Sequence, residues 1–397
     1  MIIERIETPI IKKCDVLVCG GGFAGISAAI AAARQNKKVV LLEKSFMLGG
    51  LATSGLVTYY LPLCDGLGKQ VSFGIAEELF HLSIKMGAED RYPENWLDNI
   101  GTKTEKDNRF EVQFNPQLFA ILTEQLLLNE GVEILYGSYA VATDVIDNKI
   151  NAVIIENKSG RQAIKSNTVV DATGDCDIAH FAGADCETFK QGNILAAWYY
   201  LIGKNGYKLN PLGFCDIPED KKTADYKENH LIERRFSGLD GVELSEMMQL
   251  SHASTLNDIM KKRENDDSIF PVTIATTPQI RMTRKIVGEY TLHDTEMHKY
   301  FEDSIGMVSD WRKRGPVYEV PFRTLYSSKI KNLIVAGRCT SVTDSMWDIM
   351  RVIPCCAVTG EAAGIAATLT DDFSSLQIEK LQTILKNKGI FLHEKDL

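Results

Sequence analysis

Three consecutive glycines, Gly20-Gly21-Gly22, followed by Phe23, Ala24 and Gly25, are the residues whose spacing points most directly to chemistry. A G-x-G-x-x-G run lets a chain leave a strand, turn sharply and enter a helix whose first N–H groups remain free for an anion. Gly20 permits the turn, Gly22 lets the backbone approach a pyrophosphate, and Gly25 allows the helix to pack closely on the strand. Glu43, with Lys44 beside it, closes the next apolar segment. A carboxylate at that point accepts hydrogen bonds from the hydroxyls of an adenosine ribose. The pattern predicts a dinucleotide site and does not by itself separate FAD from NAD.

These residues need a βαβ unit to hold them. Asp15–Cys19 reads as a short buried strand, Ala24–Gln35 as an alanine-rich helix and Lys38–Glu43 as a second apolar strand. Val71–Met86 and Pro116–Glu130 read as helices, the second opened by Asn115 as N-cap with Pro116 at the first helical position. Val132–Tyr136 returns as a strand. Period-two patterning from Ala140 to Lys165, with turn signals at Asp147-Asn148-Lys149 and Lys158-Ser159-Gly160, predicts a three-stranded antiparallel meander, and Thr168–Asp171 goes back to the main sheet. Residues 185–314 mix a strand at Asn193–Ile202, a polar loop at Pro211–Asn229, a helix at Leu244–Arg263 and a strand at Val272–Thr276. Lys331–Ala336 reads as another strand. Pro354–Leu369 reads as a helix rich in small residues, and Ile378–Lys388 as an amphipathic helix stopped by Gly389.

Bulk properties narrow the class. With 397 residues the chain has room for two domains, and its 45% hydrophobic and 24% charged residues are those of a globular protein. A net charge of −9 without a basic cluster argues against a nucleic-acid partner. The charged start of the chain and the glycine-interrupted run at Asp15–Ala33 predict neither a secretion signal nor a membrane span. Nine cysteines in such a chain predict reduced thiols and a cytoplasmic location.

Further segments carry a resemblance: Leu48-Gly49-Gly50-Leu51-Ala52-Thr53, Asp171-Ala172-Thr173-Gly174-Asp175, Asn332-Leu333-Ile334-Val335-Ala336-Gly337-Arg338, Arg351-Val352-Ile353-Pro354 and Gly360-Glu361-Ala362-Ala363-Gly364. Through these the chain resembles the FAD-dependent oxidoreductases of the glutathione-reductase-like flavoprotein superfamily. The resemblance implies an α/β, FAD-binding Rossmann-like fold with a parallel central sheet, the antiparallel meander and an inserted mixed α+β substrate domain. It implies an FAD-binding domain in two parts, 1–184 and 315–372, a cap at 185–314 and a C-terminal helical segment at 373–397. It also implies non-covalent FAD touching Gly50, Leu51, Ala52, Thr53, Ala140, Thr173, Gly174, Gly337 and Arg338. Pro354 would open a helix aimed at the flavin's pyrimidine end, where charge builds on reduction. Cys64 is the thiol near the Gly49–Thr53 segment that keeps a covalent link in view.

Substrate chemistry rests on fewer signals. Arg281, Arg284 and Arg351 are the candidate catalytic residues, because a planar guanidinium can clamp a carboxylate or polarise a carbonyl. Cys355 and Cys356 adjoin the flavin-facing helix start but lack the spacing of a redox pair. His180, His293 and His298 have no metal-ligand spacing, so no metal is expected. Tyr59 and Tyr60 are read as core, with the flavin face as the alternative. The expected enzyme moves a hydride between flavin N5 and a small organic substrate whose identity, like the electron donor or acceptor, the sequence leaves open. A flavin monooxygenase or halogenase, and an electron-transfer subunit serving a protein partner, remain as alternatives. The absence of a second glycine fingerprint argues against a reductase with two Rossmann domains.

Overall fold

The computed structural model describes residues 2–3, 5–85, 111–213 and 230–397. The chain runs through β1 (Ile10–Cys19), α1 (Phe23–Ala33), β2 (Val39–Leu42), β3 (Tyr59–Tyr60), α2 (Ile75–Ile84), β4 (Val112–Gln113), α3 (Pro116–Asn129) and β5 (Glu133–Leu135). It continues with β6 (Tyr139–Ile146), β7 (Lys149–Asn157), β8 (Gly160–Asp171), α4 (Asp177–Phe181), β9 (Cys186–Thr188), β10 (Tyr199–Gly203), β11 (Gly206–Asn210), α5 (Gly241–Arg263), β12 (Phe270–Ile274) and β13 (Arg284–Ile286). The last part holds β14 (Ser304–Ser309), β15 (Val317–Pro321), β16 (Leu333–Val335), α6 (Asp344–Met350), α7 (Ile353–Leu369) and α8 (Ile378–Asn387).

The main sheet has the order β5-β2-β1-β8-β7-β6, with β16 also paired to β8. Strands β5, β2, β1, β8 and β16 run parallel, and β6, β7 and the start of β8 form the antiparallel meander. The third meander strand and the strand returning to the main sheet are one continuous segment. Residues Gly160–Ile164 pair with β7, whereas Val169–Asp171 pair with β16, and β1 lies alongside on the other edge. A single strand with two successive partners shows no turn in its sequence, yet its pattern changes midway because the second half is buried on both faces.

Alternation along β1 builds both halves of the core. Val16 and Val18 belong to the cluster containing α1 and α7, while Leu17 and Cys19 belong to the cluster on the opposite face. The small residues of α1 and α7 bring the helix backbones into contact. A Cβ on Gly360 would lie 2.2 Å from the Ala24 carbonyl oxygen, and one on Gly364 would lie 2.2 Å from that of Ala28. Their role is helix packing.

The remaining strands form the three-stranded sheet β11-β10-β12 and the pairs β13-β9, β14-β15 and β3-β4. Helix α2 begins at Ile75, four residues after the expected start. Gly74 holds a left-handed φ of 67°, and the Glu361 carboxylate accepts the Ile75 N–H at 2.7 Å. That cap comes from a residue 286 positions away, beyond any local signal. The expected end of this helix at Met86 and most of the polar loop at Pro211–Asn229 lie outside the described residues. Strands β3, β4, β9, β11, β13, β14 and β15 and helices α4 and α6 add to the expected elements. No single helix among the described residues is long and apolar enough to cross a membrane; the apolar pair α6–α7 is bent by 88°.

Candidate dinucleotide cleft and adjoining cavity

Gly20, Glu43, Ala172 and Ala336 directly follow the carboxyl ends of β1, β2, β8 and β16. Because these strands are parallel, all four residues arrive at one edge of the sheet, the edge at which open α/β sheets bind ligands. The cleft there has about 1420 Å³ of empty space measured out into open solvent.

Each fingerprint glycine has a distinct reason to be there. Gly20 has φ 108° and leaves 2.3 Å between its ideal Cβ position and the Ala172 carbonyl oxygen, so only glycine makes this turn. Gly25 abuts Gly20 itself, 1.7 Å from a would-be Cβ to its carbonyl oxygen. Gly22 differs: a Cβ there meets no protein atom within 4 Å and would project into open space. Gly22 is also the N-cap of α1, with no side-chain cap and no acid in the first turn. Free N–H groups and the positive end of the helix therefore face the cleft. Glu43 is buried, its Oε2 accepting from the Gly21 N–H at 2.8 Å and its Oε1 from the Ser45 N–H and hydroxyl, both at 2.7 Å. The acid is thereby locked to the glycine loop before any ligand arrives. An open cradle at Gly22, an uncapped helix and a fixed carboxylate fit a dinucleotide.

Of the residues expected to hold the cofactor, Gly20, Gly22, Phe23, Ala24, Glu43, Lys44, Gly50, Leu51, Ala52, Ala140, Thr173, Gly174, Gly337 and Arg338 line this cleft. Gly25, Thr53 and Pro354 do not. Thr53 is buried beneath the loop and donates to the Leu48 carbonyl at 2.5 Å. Pro354 lies in the first turn of α7, and its neighbours Ile353 and Cys356 reach the cleft instead. Gly174 and Gly337 have positive φ, but their would-be Cβ atoms first meet protein: the Arg338 guanidinium at 2.6 Å and the Ala24 Cβ at 2.9 Å, respectively. Ser138, Asp175, Asp177, Thr277 and Pro278 also line the cleft. Ser138 lies two residues before the expected Ala140, and Thr277 directly precedes residues 278–288, the segment of the insertion that most resembles the family.

Asp171 organises the wall beyond β8. Its Oδ1 accepts from the Thr173 N–H at 3.1 Å and hydroxyl at 2.7 Å, and its Oδ2 from the Ala179 N–H at 2.9 Å. Burial pushes its carboxyl above the ordinary range. Asp175 holds Arg338 at 3.1 Å, whose Nη1 also reaches the Arg281 carbonyl at 3.1 Å. Burial, with Asp175 and Asp171 adding, raises the Asp177 carboxyl to about 6.

A second cavity adjoins the cleft, with about 730 Å³ of empty space measured out into open solvent. Leu51, Ala52, Arg338, Arg351 and Ile353 belong to both, and Tyr59, Trp198, Arg281 and Trp311 to the second alone. Both indole N–H groups are tied to backbone: Trp198 donates to the Gly213 carbonyl at 2.8 Å and Trp311 to that of Asp348 at 2.9 Å. Such bonds fix the ring orientations. The Arg281 guanidinium lies 5.4 Å from the Trp198 ring centre, and Arg351, paired to buried Asp348, lies 6.0 Å from that of Trp311. Arg284 lines neither space; it bonds the Asp175 carbonyl at 3.0 Å and Asp177 at 2.7 Å. Tyr59 faces the cavity, whereas Tyr60 is buried and donates to the Ala76 carbonyl.

Burial raises the thiols of both adjacent cysteines. Cys355 is buried with its thiol well above the ordinary value, and burial raises the Cys356 thiol to about 12. Cys64 is buried and, like His180, His293 and His298, lines neither space.

The parallel sheet, the glycine turn into α1 and the acid closing β2 define a Rossmann-type dinucleotide-binding protein. More particularly, the chain belongs to the FAD dependent oxidoreductase family, whose model matches residues 15–198 and 218–385. The chain is similar to a glutathione reductase of Schizosaccharomyces pombe, 27% identical over 184 residues that make up 45% of this chain and 35% of the relative. A thioredoxin reductase of Ureaplasma parvum is 29% identical over 72 residues, 18% of this chain and 23% of the relative. A tRNA uridine 5-carboxymethylaminomethyl modification enzyme of Borreliella burgdorferi is 26% identical over 170 residues, 40% of this chain and 24% of the relative. The matched stretches thus span about a quarter to a third of these relatives. Among solved structures, a geranylgeranyl bacteriochlorophyll reductase-like protein from Thermoplasma acidophilum is 15% identical with a TM-score of 0.46, covering 95% of this chain and 84% of that one.

Proposed function

We propose that the chain transfers a hydride between the N5 of non-covalently bound FAD and a small organic substrate held in the Trp198–Trp311 cavity. The observation that carries this reading is the junction itself. Five residues line both the dinucleotide cleft and an aromatic cavity beside it. When bound, FAD supplies the hydride acceptor or donor.

The protein's share is binding and orientation. Gly22 and the first turn of α1 take the pyrophosphate, and Glu43 takes the adenosine ribose. The uncapped start of α7, reached through Ile353 and Cys356, presents free N–H groups to the other end of the cleft. Trp198, Trp311 and Tyr59 sandwich an apolar body and exclude water. Arg281 and Arg351 orient a carboxylate or carbonyl group on it. Arg284 positions the 175–177 turn through Asp177. Residues 185–314, which supply Trp198, Arg281 and Trp311, act as the cap. The buried Cys64 and the high thiol of Cys356 support non-covalent attachment.

Anaerobic photoreduction followed by reoxidation tests the reaction. Small carbonyl- or carboxylate-bearing acceptors should reoxidise the protein without a protein carrier, and Arg281→Lys should slow them. Reoxidation by oxygen alone, or by a protein carrier alone, would overturn the proposal.

A further inference from the structure

We infer that Cys176 and Cys186 form an oxidisable dithiol that reports on the wall of the cofactor cleft. Their sulfurs lie 3.9 Å apart, and Cys339 joins the group through the Cys176 N–H, which donates to its sulfur at 3.2 Å. Cys176 and Cys339 are buried, while Cys186 is half-buried. One member of the pair is therefore reachable by a small reagent and the other is not.

Chemistry follows the same asymmetry. The thiolate is the attacking species. Cys186 is held below the ordinary thiol value chiefly by its bond to Cys176, with Arg284 adding, whereas burial pushes Cys176 up. Cys186 attacks a low-molecular-weight disulfide, its sulfur bonds to one half and the other half leaves as a thiol. The Cys176 sulfur then attacks Cys186 in that mixed disulfide and expels the second half. Two protein thiols lose two electrons, the external disulfide gains them, and the two thiol protons pass to the leaving groups. Adjacency compensates for the poor ionisation of Cys176 in this second, intramolecular step.

Asp171 lies within 4.8 Å of the Cys176 and Cys339 ligand atoms, a grouping that would also suit a metal. Its oxygens, however, already accept from Thr173 and Ala179.

Bond formation would be felt in the cleft. The sulfurs must close from 3.9 Å to about 2.05 Å. Cys176 has little freedom to follow, since it holds a left-handed φ of 56° and caps α4. It also directly follows Thr173, Gly174 and Asp175, which line the cleft. Movement of Cys176 would disturb the Asp175–Arg338 pair in the cleft wall, so FAD should be held more weakly in the oxidised protein.

The test treats reduced holoprotein with oxidised glutathione, maps cysteine pairing by peptide mass spectrometry and measures FAD dissociation. The expected result is a Cys176–Cys186 cross-link, loss of FAD affinity, and recovery of both the free thiols and the affinity with dithiothreitol. Cys176→Ser should instead retain glutathione on Cys186. Full alkylation of both cysteines after oxidant, an unresolved wild-type adduct, or a cross-link with unchanged FAD affinity would each overturn the inference. So would a metal ion that copurifies with the protein and is lost in Cys176→Ser.

Discussion

At the Glu43 end of the cleft the walls are mainly backbone: the 20–25 turn, the first turn of α1 and one carboxylate pinned to the Gly21 N–H. At the Trp198 end they are side chains gathered from residues 51–61, 198, 281, 311, 338 and 351–353. A backbone-built site tolerates almost no change where chains touch, yet it recognises any ligand with the right phosphate and ribose. A side-chain-built site sets the substrate and can be altered one contact at a time. That contrast explains how a family can share its cofactor end while its reactions diverge.

The largest effect should come from filling the one fingerprint position that has free space. Gly22→Val should leave folding intact, because its Cβ meets no protein atom, while FAD binding falls by about 4 kcal/mol or more, roughly a thousandfold. Circular dichroism with flavin titration checks this. Retained affinity would mean that the space in front of Gly22 is not the phosphate site.

Next is the scaffold beneath the cofactor end. Burial raises Glu361 from 4.5 to about 7 in the folded chain. A raised folded value means that its contribution is complete below the unfolded value and is lost as pH rises through about 7. Wild-type stability should therefore drop between pH 5 and 8 by up to about 3 kcal/mol relative to Glu361→Gln, which cannot ionise. Parallel unfolding curves for the two proteins across that range would remove Glu361 as the cause.

Glu43→Ala deletes both the ribose acceptor and the brace on the Gly21 N–H. FAD affinity should fall by roughly 1.5–3 kcal/mol, or tenfold to a hundredfold. The smallest expected effect lies at the other end. Arg281→Lys keeps the charge but loses the fork, so turnover on an active substrate should fall about tenfold with flavin content unchanged. Arg284→Lys should instead disturb the 175–177 turn and leave substrate kinetics alone. A reversed pattern would exchange the roles assigned to these two arginines.

The same contrast governs what could be read from the sequence. Gly20, Gly22, Gly25 and Glu43 were legible because backbone conformation and spacing are local properties. The α1–α7 contact was half legible: small residues were visible, but the Ala24 and Ala28 carbonyls they meet were not. Trp198 and Trp311 carry no local signal. They are two of four tryptophans in the chain, and only the tertiary fold brings them to one cavity. Arg281 and Arg284 are three residues apart, yet only Arg281 lines that cavity, because Asp175 and Asp177 hold Arg284 to the neighbouring turn.

The measurement closest to the central claim is a side-by-side calorimetric titration of the apoprotein with FAD and FMN. A site that grips the pyrophosphate at Gly22 and the adenosine at Glu43 should bind FAD at least about a hundredfold more tightly than FMN, which lacks the adenosine half. Equal affinity for the two flavins would contradict it.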